Sequence, residues 1–368
     1  MRKIFLLIVG LPPAFTIIFG HVYDSNVVNQ IPLTICDEDQ SSLSRTLIDM
    51  YADSEKFSIV SHAATIDDVH AEIFSGRAKA ALIIPKNFSR EVKLGRGSEI
   101  SIVVNSSNNM FGNASLSAAQ EINRTFSIGV AQKIFEGANL LPDAAMATVY
   151  PIKMSVRILG NPTNGYSPFM LSGLILNGLQ IGVMLAFVTF LTDELQLRRD
   201  FTKIFYVRFI FRRVATIWLF GMIGCALSLI VATKFFAIPM RGSWLDVLIL
   251  GGAFLFFVEG VLMIFSAIAP QPELALQAPL LYIMPGLLYS GLSFPTFDMN
   301  EFARLYASTM PMTYAGDNLR DILLIGHAPN LWQDFRAMLL GGTIGICIAL
   351  TIFFLRLKKG GSNVPARN

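Results

Sequence analysis

The feature that most constrains this chain is a series of apolar runs separated by polar stretches. Four are long: Pro168 to Leu191, Val214 to Thr233, Leu245 to Ala269 and Met338 to Leu355. Two are shorter: Ile4 to Gly20 and Pro279 to Leu292. A helix needs about 20 apolar residues to cross roughly 30 Å of hydrocarbon. Composition agrees, since 53% of the residues are hydrophobic and only 15% are charged, whereas soluble domains are about a quarter charged. The chain is therefore read as an α-helical integral membrane protein with six transmembrane helices. A net charge of +3 without a Lys/Arg tract argues against a nucleic-acid partner. Cys36, Cys225 and Cys347 form no CxxC pair, so neither a disulfide framework nor a zinc site is expected.

The first run follows Arg2 and Lys3 and has the basic start of a secretory signal. Gly20-His21-Val22-Tyr23 is not a small-x-small cleavage site, so the run is read as an uncleaved span, kinked at Pro12 and Pro13. Residues 21 to 165 differ. Ile31 to Ile35, Phe57 to Val60, Ala80 to Ile84 and Ile100 to Asn105 read as strands. Ser41 to Tyr51, Thr65 to Gly76 and about Asn113 to Ala138 read as helices. Ser41 or Ser42 is a candidate N-cap, and Asp67 and Asp68 suit the positive end of the second helix. This alternation predicts an inserted α/β domain.

Basic residues set the orientation. Arg2 and Lys3 precede span one; Arg198, Arg199, Lys203, Arg208, Arg212 and Arg213 lie between spans two and three; Arg356, Lys358 and Lys359 follow span six. Six spans put all three clusters on the cytoplasmic side, as the positive-inside bias requires. Both termini are then cytoplasmic and the α/β domain is extracytoplasmic. The organisation read from sequence is a first span at 1–20, an extracytoplasmic domain at 21–165 and a five-helix region at 166–358. A cytoplasmic loop at 193–213 and an outward segment at 293–336 interrupt that region, and a tail follows at 359–368. Span five is too short: fourteen residues from Pro279 to Leu292 rise only about 21 Å as a helix. Either it starts nearer Leu274 or it ends in a re-entrant segment.

No catalytic constellation is legible. GxSxG, HExxH and the Walker GxxxxGK[ST] are absent. Asp37, Glu38, Asp39, His62 and His70 are read as surface residues. Glu259 lies inside span four, where a carboxylate is expensive; it lines a pathway or pairs at a subunit interface, or it sits high enough to be hydrated. Asn177 and Gln180 in span two suit helix packing. The stretch from Asp193 to Arg213 serves either as positive-inside anchoring or as a docking site for a cytoplasmic partner.

Several stretches together resemble the membrane subunits of ABC transporters of the type-two exporter class, in the subgroup with a large domain after the first span. In the inserted domain they are Asp37-Glu38-Asp39 with Ser41 and Ser44, Gly76 through Pro85, Phe88-Ser89, Gly95, and Asn105 with Asn108. Asn161-Pro162 and Tyr166 lead into span two. Near the end come Pro285, Ser290-Gly291 and Phe294-Pro295, then Met299, Pro311, Tyr314, Leu319-Arg320 and Gly326. Two segments depart from the family. Met1, Arg2 and Lys3 stand before span one, where the family usually carries a cytoplasmic amphipathic helix, and Asp193 through Thr202 stands where an Arg-Glu-rich segment ending in Gly-Thr is usual.

The resemblance implies a permease subunit of an ATP-driven exporter in the bacterial inner membrane. It implies a second permease subunit, identical or different, and separate cytoplasmic ATPase subunits that bind the ATP. A periplasmic adaptor protein is a further partner of such assemblies. No cofactor and no enzymatic activity are expected in this chain. Asp193, Glu194, Arg198, Arg199 and Thr202 would couple to the ATPase. Pro285, Ser290, Gly291, Phe294, Pro295 and Glu259 would form the re-entrant turn and pathway. The rival expectation is a membrane receptor or assembly scaffold whose outer domain binds a partner.

Overall fold

The computed structural model describes residues 5–24, 27–138, 141–149, 158–162, 165–197, 203–269 and 272–360, with side chains at 147, 188–197, 203–206, 272–276 and 357–360 outside the description. The chain forms two compact units, Val27–Arg157 and the combination of Met1–Asn26 with Ile158–Asn368.

The second of these starts with helix α1 (Leu6–Val22), whose first stretch, Leu6–Gly10, is π-helical. Pro12 and Pro13 remove two backbone donors, and the π-turn directly before them absorbs the misfit. The Thr16 hydroxyl donates to the Pro12 carbonyl at 2.9 Å.

The α/β unit contains β1 (Ile31–Asp37), α2 (Ser42–Ala52), β2 (Phe57–His62), α3 (Ile66–Phe74), β3 (Ala80–Ile84), α4 (Phe88–Lys93), β4 (Ser101–Val104), α5 (Asn109–Gly137) and α6 (Pro142–Val149). Its sheet has the order β2-β1-β3-β4. β1 pairs in parallel with β2 and β3, and β4 closes the edge antiparallel to β3. Central strands covered on both faces read as continuous apolar runs, which is why β1 and β3 are so apolar. Ile31, Leu33 and Ile35 pack with Leu47, Tyr51, Leu82, Phe88 and Phe126 on one face. Cys36 and Ala81 meet Val69 of α3 on the other. Both early helices begin with a capping box: Ser41 with Ser44 at α2, and Thr65 with Asp68 at α3.

The helical unit resumes with α7 (Tyr166–Leu197), α8 (Lys203–Phe235) and α9 (Trp244–Ile268). Next come α10 (Pro272–Ile283), α11 (Gly286–Tyr289), a 3-10 turn at Thr296–Asp298, α12 (Glu301–Ser308), α13 (Pro311–Leu324) and α14 (Leu331–Gly360). Four of these helices contain stretches long and apolar enough to cross a bilayer: Tyr166–Phe187, Val207–Phe235, Trp244–Ile268 and Leu331–Arg356. Leu6–Val22 is a shorter apolar helix. The segment 193–213, read from sequence as a loop, is helical to Leu197 and again from Lys203. The fifth apolar segment is helical over Pro272–Ile283, in keeping with the alternative of a start near Leu274, and breaks between Ile283 and Gly286.

Burial sorts the long helices. The apolar stretches of α7 and α9 are 72% buried, against 33% for α8 and 22% for α14. On α8, Leu219, Ile223, Leu227 and Ile230 form an exposed row at helical spacing. Such a row suits hydrocarbon as solvent.

Glycines set the closest helix contacts. A Cβ on Gly260 of α9 would lie 2.6 Å from the Gly342 carbonyl oxygen of α14, and one on Gly345 would lie 2.8 Å from Gly260 backbone. A Cβ on Gly224 of α8 would lie 2.5 Å from the Ile8 carbonyl oxygen of α1. In lipid, where apolar burial drives no helix pairing, such close backbone approach is what yields packing energy. Arg356 of α14 donates to the Ile268 and Ala269 carbonyls, placing a cation at the negative end of α9.

Gly260→Leu should therefore destabilise the protein by about 1–3 kcal/mol, as overpacking does. A Cβ on Gly129 of α5 meets nothing within 4 Å, so Gly129→Ala should stabilise its unit by about 0.5–1 kcal/mol. Thermal unfolding of the purified chain and amide exchange in α5 read the two changes.

Candidate functional site

The site expected near residue 290 is a turn that ends one helix and plugs a gap between two others. Pro285 is the N-cap of α11, and its carbonyl accepts from the Leu288 and Tyr289 amides, each at 3.0 Å. Ser290 is buried and donates to the Leu287 carbonyl at 3.0 Å. Gly291 has φ +92, a left-handed conformation that glycine adopts without penalty. That reversal delivers Leu292 into the core. A Cβ on Gly173 of α7 would lie 2.5 Å from a Leu292 methyl, and a Cβ on Gly316 of α13 would lie 2.7 Å from the same methyl. Two glycines on two helices thus make one socket. Phe294 is exposed, and the Pro295 carbonyl accepts from the Asp298 amide at 3.2 Å.

Polar contacts fix the helices around this plug. Gln180 of α7 is buried and donates to Asn177 at 2.8 Å. Its Nε2 also lies 3.6 Å from the Met312 sulfur of α13. Tyr282 donates to the Thr309 carbonyl and packs against Phe265 and Tyr306. Asn318 of α13 donates to Asp334 of α14 at 2.6 Å. Arg320 pairs with Asp317 and lies 4.9 Å above the Phe169 ring of α7, a cation–π contact. These residues were not singled out in the sequence as site residues, except Asn177 and Gln180, which were read as packing. The legible signal for the others was glycine inside apolar runs.

Glu259 sits on α9, a separate element from the turn. It is 0% exposed, and among the described residues neither carboxylate oxygen has a hydrogen-bond partner. It follows by one helical turn Leu255, whose side chain fills the space over Gly221 of α8. The Trp218 indole of α8 donates to the Gly252 carbonyl of α9 at 2.8 Å. The reading of Glu259 as hydrated at the membrane edge does not fit this burial.

Arg198, Arg199 and Thr202 lie outside the described residues; Asp193 and Glu194 lie on α7, their side chains outside the description. Just beyond, Arg208 and Arg212 are exposed, and Arg213 lies 5.0 Å above the Phe209 ring. The acidic cluster of the α/β unit holds its own backbone. Asp37 accepts from the Asp39 and Gln40 amides and from the Ser44 hydroxyl, and Asp39 accepts from the Ser89 amide across the sheet's end. Burial, with the nearby carboxylates of Glu38, Asp37 and Asp68, raises the Cys36 thiol above its ordinary pKa, so it stays protonated and a poor nucleophile at neutral pH.

Leu292→Ala should cost about 2–5 kcal/mol. In that background Gly316→Ala should cost under about 1 kcal/mol, because the clashing methyl is gone; in the parent it should cost more, a coupling that a double-mutant cycle of unfolding free energies measures.

The model of the family described as ABC-2 family transporter protein matches residues 2–357. The inner membrane transport permease YhhJ of Escherichia coli (strain K12) is 26% identical over 362 residues, covering 92% of this chain and 89% of that protein. ABC transporter G family member 20 of Dictyostelium discoideum is 23% identical over 208 residues, covering 54% of this chain and 28% of that protein. No solved structure matches the chain. With a match that takes in the α/β unit, the plugged turn and every long apolar helix, this chain belongs to the ABC-2 transporter family.

Proposed function

We propose that this chain is the membrane-spanning permease subunit of an ATP-driven exporter of the bacterial inner membrane. The family match from residue 2 to residue 357 carries the reading, and the relative named as an inner membrane transport permease supports the location. Six crossings are assigned: α1, α7, α8, α9, the broken pair α10–α11, and α14. This parity leaves the basic clusters in the cytoplasm and the α/β unit outside. ATP is bound and hydrolysed by separate subunits, and this chain contributes no catalytic group or cofactor.

The physical logic is a coupled pair of ends. α8 has 33 residues, about 50 Å as a helix, against roughly 30 Å of hydrocarbon. Its basic start therefore projects towards the cytoplasmic subunit. Asp193, Glu194, Arg198, Arg199 and Thr202 are assigned to docking there. At the opposite end the Leu292 plug holds α7 and α13 together, and its withdrawal opens a path along α7 and α10. A second permease subunit completes the path. The exposed apolar row Leu281, Met284 and Leu288 suits its surface. Glu259, buried and without a hydrogen-bond partner among the described residues, is assigned to the pathway, where an ionisable group in a membrane helix most often serves.

Charge reversal at Arg198 and Arg199 should weaken co-purification of the partner ATPase at least about tenfold, since like-charge juxtaposition at an interface costs several kcal/mol. Unchanged binding and transport would remove the docking role. Glu259→Leu should leave thermal stability unchanged or raised, because it removes an uncompensated buried carboxylate, while transport falls. Full transport by that variant would take Glu259 out of the pathway.

A further inference from the structure

The α/β unit holds a cleft of about 520 Å³, within the range of roughly 300–1,000 Å³ that small-molecule sites occupy. One wall is a single face of α5. Asn123, Phe126, Ser127, Val130, Ile134 and Phe135 line it, and their spacing is that of one helical stripe. The facing wall is α4 and the loop after it, with Phe88, Val92 and Ile100. Phe88 and Phe126 stack at 6.1 Å and close the floor as part of the sheet core. Towards the end of α5 the stripe opens to solvent, and Ile134 is 41% exposed.

Charge at the mouth selects the occupant. Among the described residues, Arg96 is the one charged side chain lining the cleft. It faces Glu91 only at 3.6 Å, and its side chain is 70% exposed, so its guanidinium stays available to an anion. Gly95 and Gly97 flank it, and a Cβ on either would meet nothing within 4 Å, so the loop leaves space at the rim. The hydroxyls of Ser98 and Ser127 and the amide of Asn123 add polar groups to walls that are mostly apolar.

We infer that this cleft binds a single-chain anionic amphiphile, its apolar body between α4 and α5 and its anionic head at Arg96. Its use to gather cargo rests on the permease reading; the binding does not. An apolar body matches the Phe88, Phe126 and Phe135 surface, and a lone cation at the rim discriminates head groups by sign.

The test uses photoactivatable long-chain carboxylate, alcohol and amine probes with the same chain, equilibrated with the full chain in nanodiscs without ATP or a partner subunit. Cross-links are mapped by mass spectrometry. The carboxylate should label residues 88–100 and 123–135 above the alcohol, and the amine least. Ala131→Trp, which fills the cleft, should reduce this labelling more than about tenfold. Arg96→Glu, an exposed change that spares folding, should weaken carboxylate labelling roughly two- to fivefold, the scale of an exposed ion pair, and favour the amine. A two-chain anionic phospholipid probe should label these stretches weakly. Equal labelling by the three heads, equal labelling of the Arg96→Glu chain, or preference for the phospholipid overturns the assignment and leaves the permease reading untouched.

Discussion

The close contact between α9 and α14 is the constraint on which the helical unit depends. Gly260, Gly342 and Gly345 bring two backbones together where no side chain fits between them. Lipid tails are as apolar as leucine, so burial alone does not hold membrane helices together. Contact area and buried polar bonds do. Trp218 on the Gly252 carbonyl and Asn318 on Asp334 are half-buried bonds of that kind, and Arg356 adds an exposed one on the last carbonyls of α9. With α9 fixed, α8 and α14 are left to face outwards with their apolar rows.

The same device recurs at the turn around Gly291 with a different result. At Gly260 the neighbour is backbone and the contact is rigid. At Gly173 and Gly316 the neighbour is one leucine side chain on a turn that Gly291 reverses. A side chain in a two-sided socket withdraws as a unit, whereas a backbone contact does not. The first arrangement suits a scaffold and the second suits a moving part. Glu259, on the central helix and without a hydrogen-bond partner among the described residues, marks the place where the scaffold departs from apolar packing.

Much of this was legible in the sequence, for reasons that are local. β3 ends where Pro85 follows Ile84, and α2 and α3 start at Ser41 and Thr65 because those side chains cap them. Apolar runs located α7, α8, α9 and α14, since transfer into hydrocarbon depends on composition. Helix ends were less legible. α8 is already helical at Lys203, because an amphipathic basic stretch continues a helix as readily as an apolar one. The fifth segment is already helical at Pro272, close to the start near Leu274 that its short apolar run required. The family-like residues bracket α11, Pro285 before it and Ser290, Gly291, Phe294 and Pro295 after it, yet Leu292, the residue that the reversal at Gly291 delivers, carries no signal of its own in the sequence. Its partners, Gly173 and Gly316, are far apart in sequence, and pairings of that kind are written in shape rather than in pattern. The cleft over α5 is hidden for the same reason: its stripe follows the spacing of ordinary core, and only the structure sets it against α4 and the loop after it.

In the permease reading proposed above, sidedness links these parts, because ATP would act at one end and cargo would leave at the other. Single cysteines at Lys93 in the α/β unit, Phe302 in α12 and Arg208 at the start of α8, in a chain whose exposed Cys347 is changed to serine, report it through a membrane-impermeant maleimide. The account predicts that the Lys93 and Phe302 positions label in intact spheroplasts and that the Arg208 position labels only after permeabilisation. Labelling of the Arg208 position in intact spheroplasts, or protection of the Lys93 position until lysis, would contradict it.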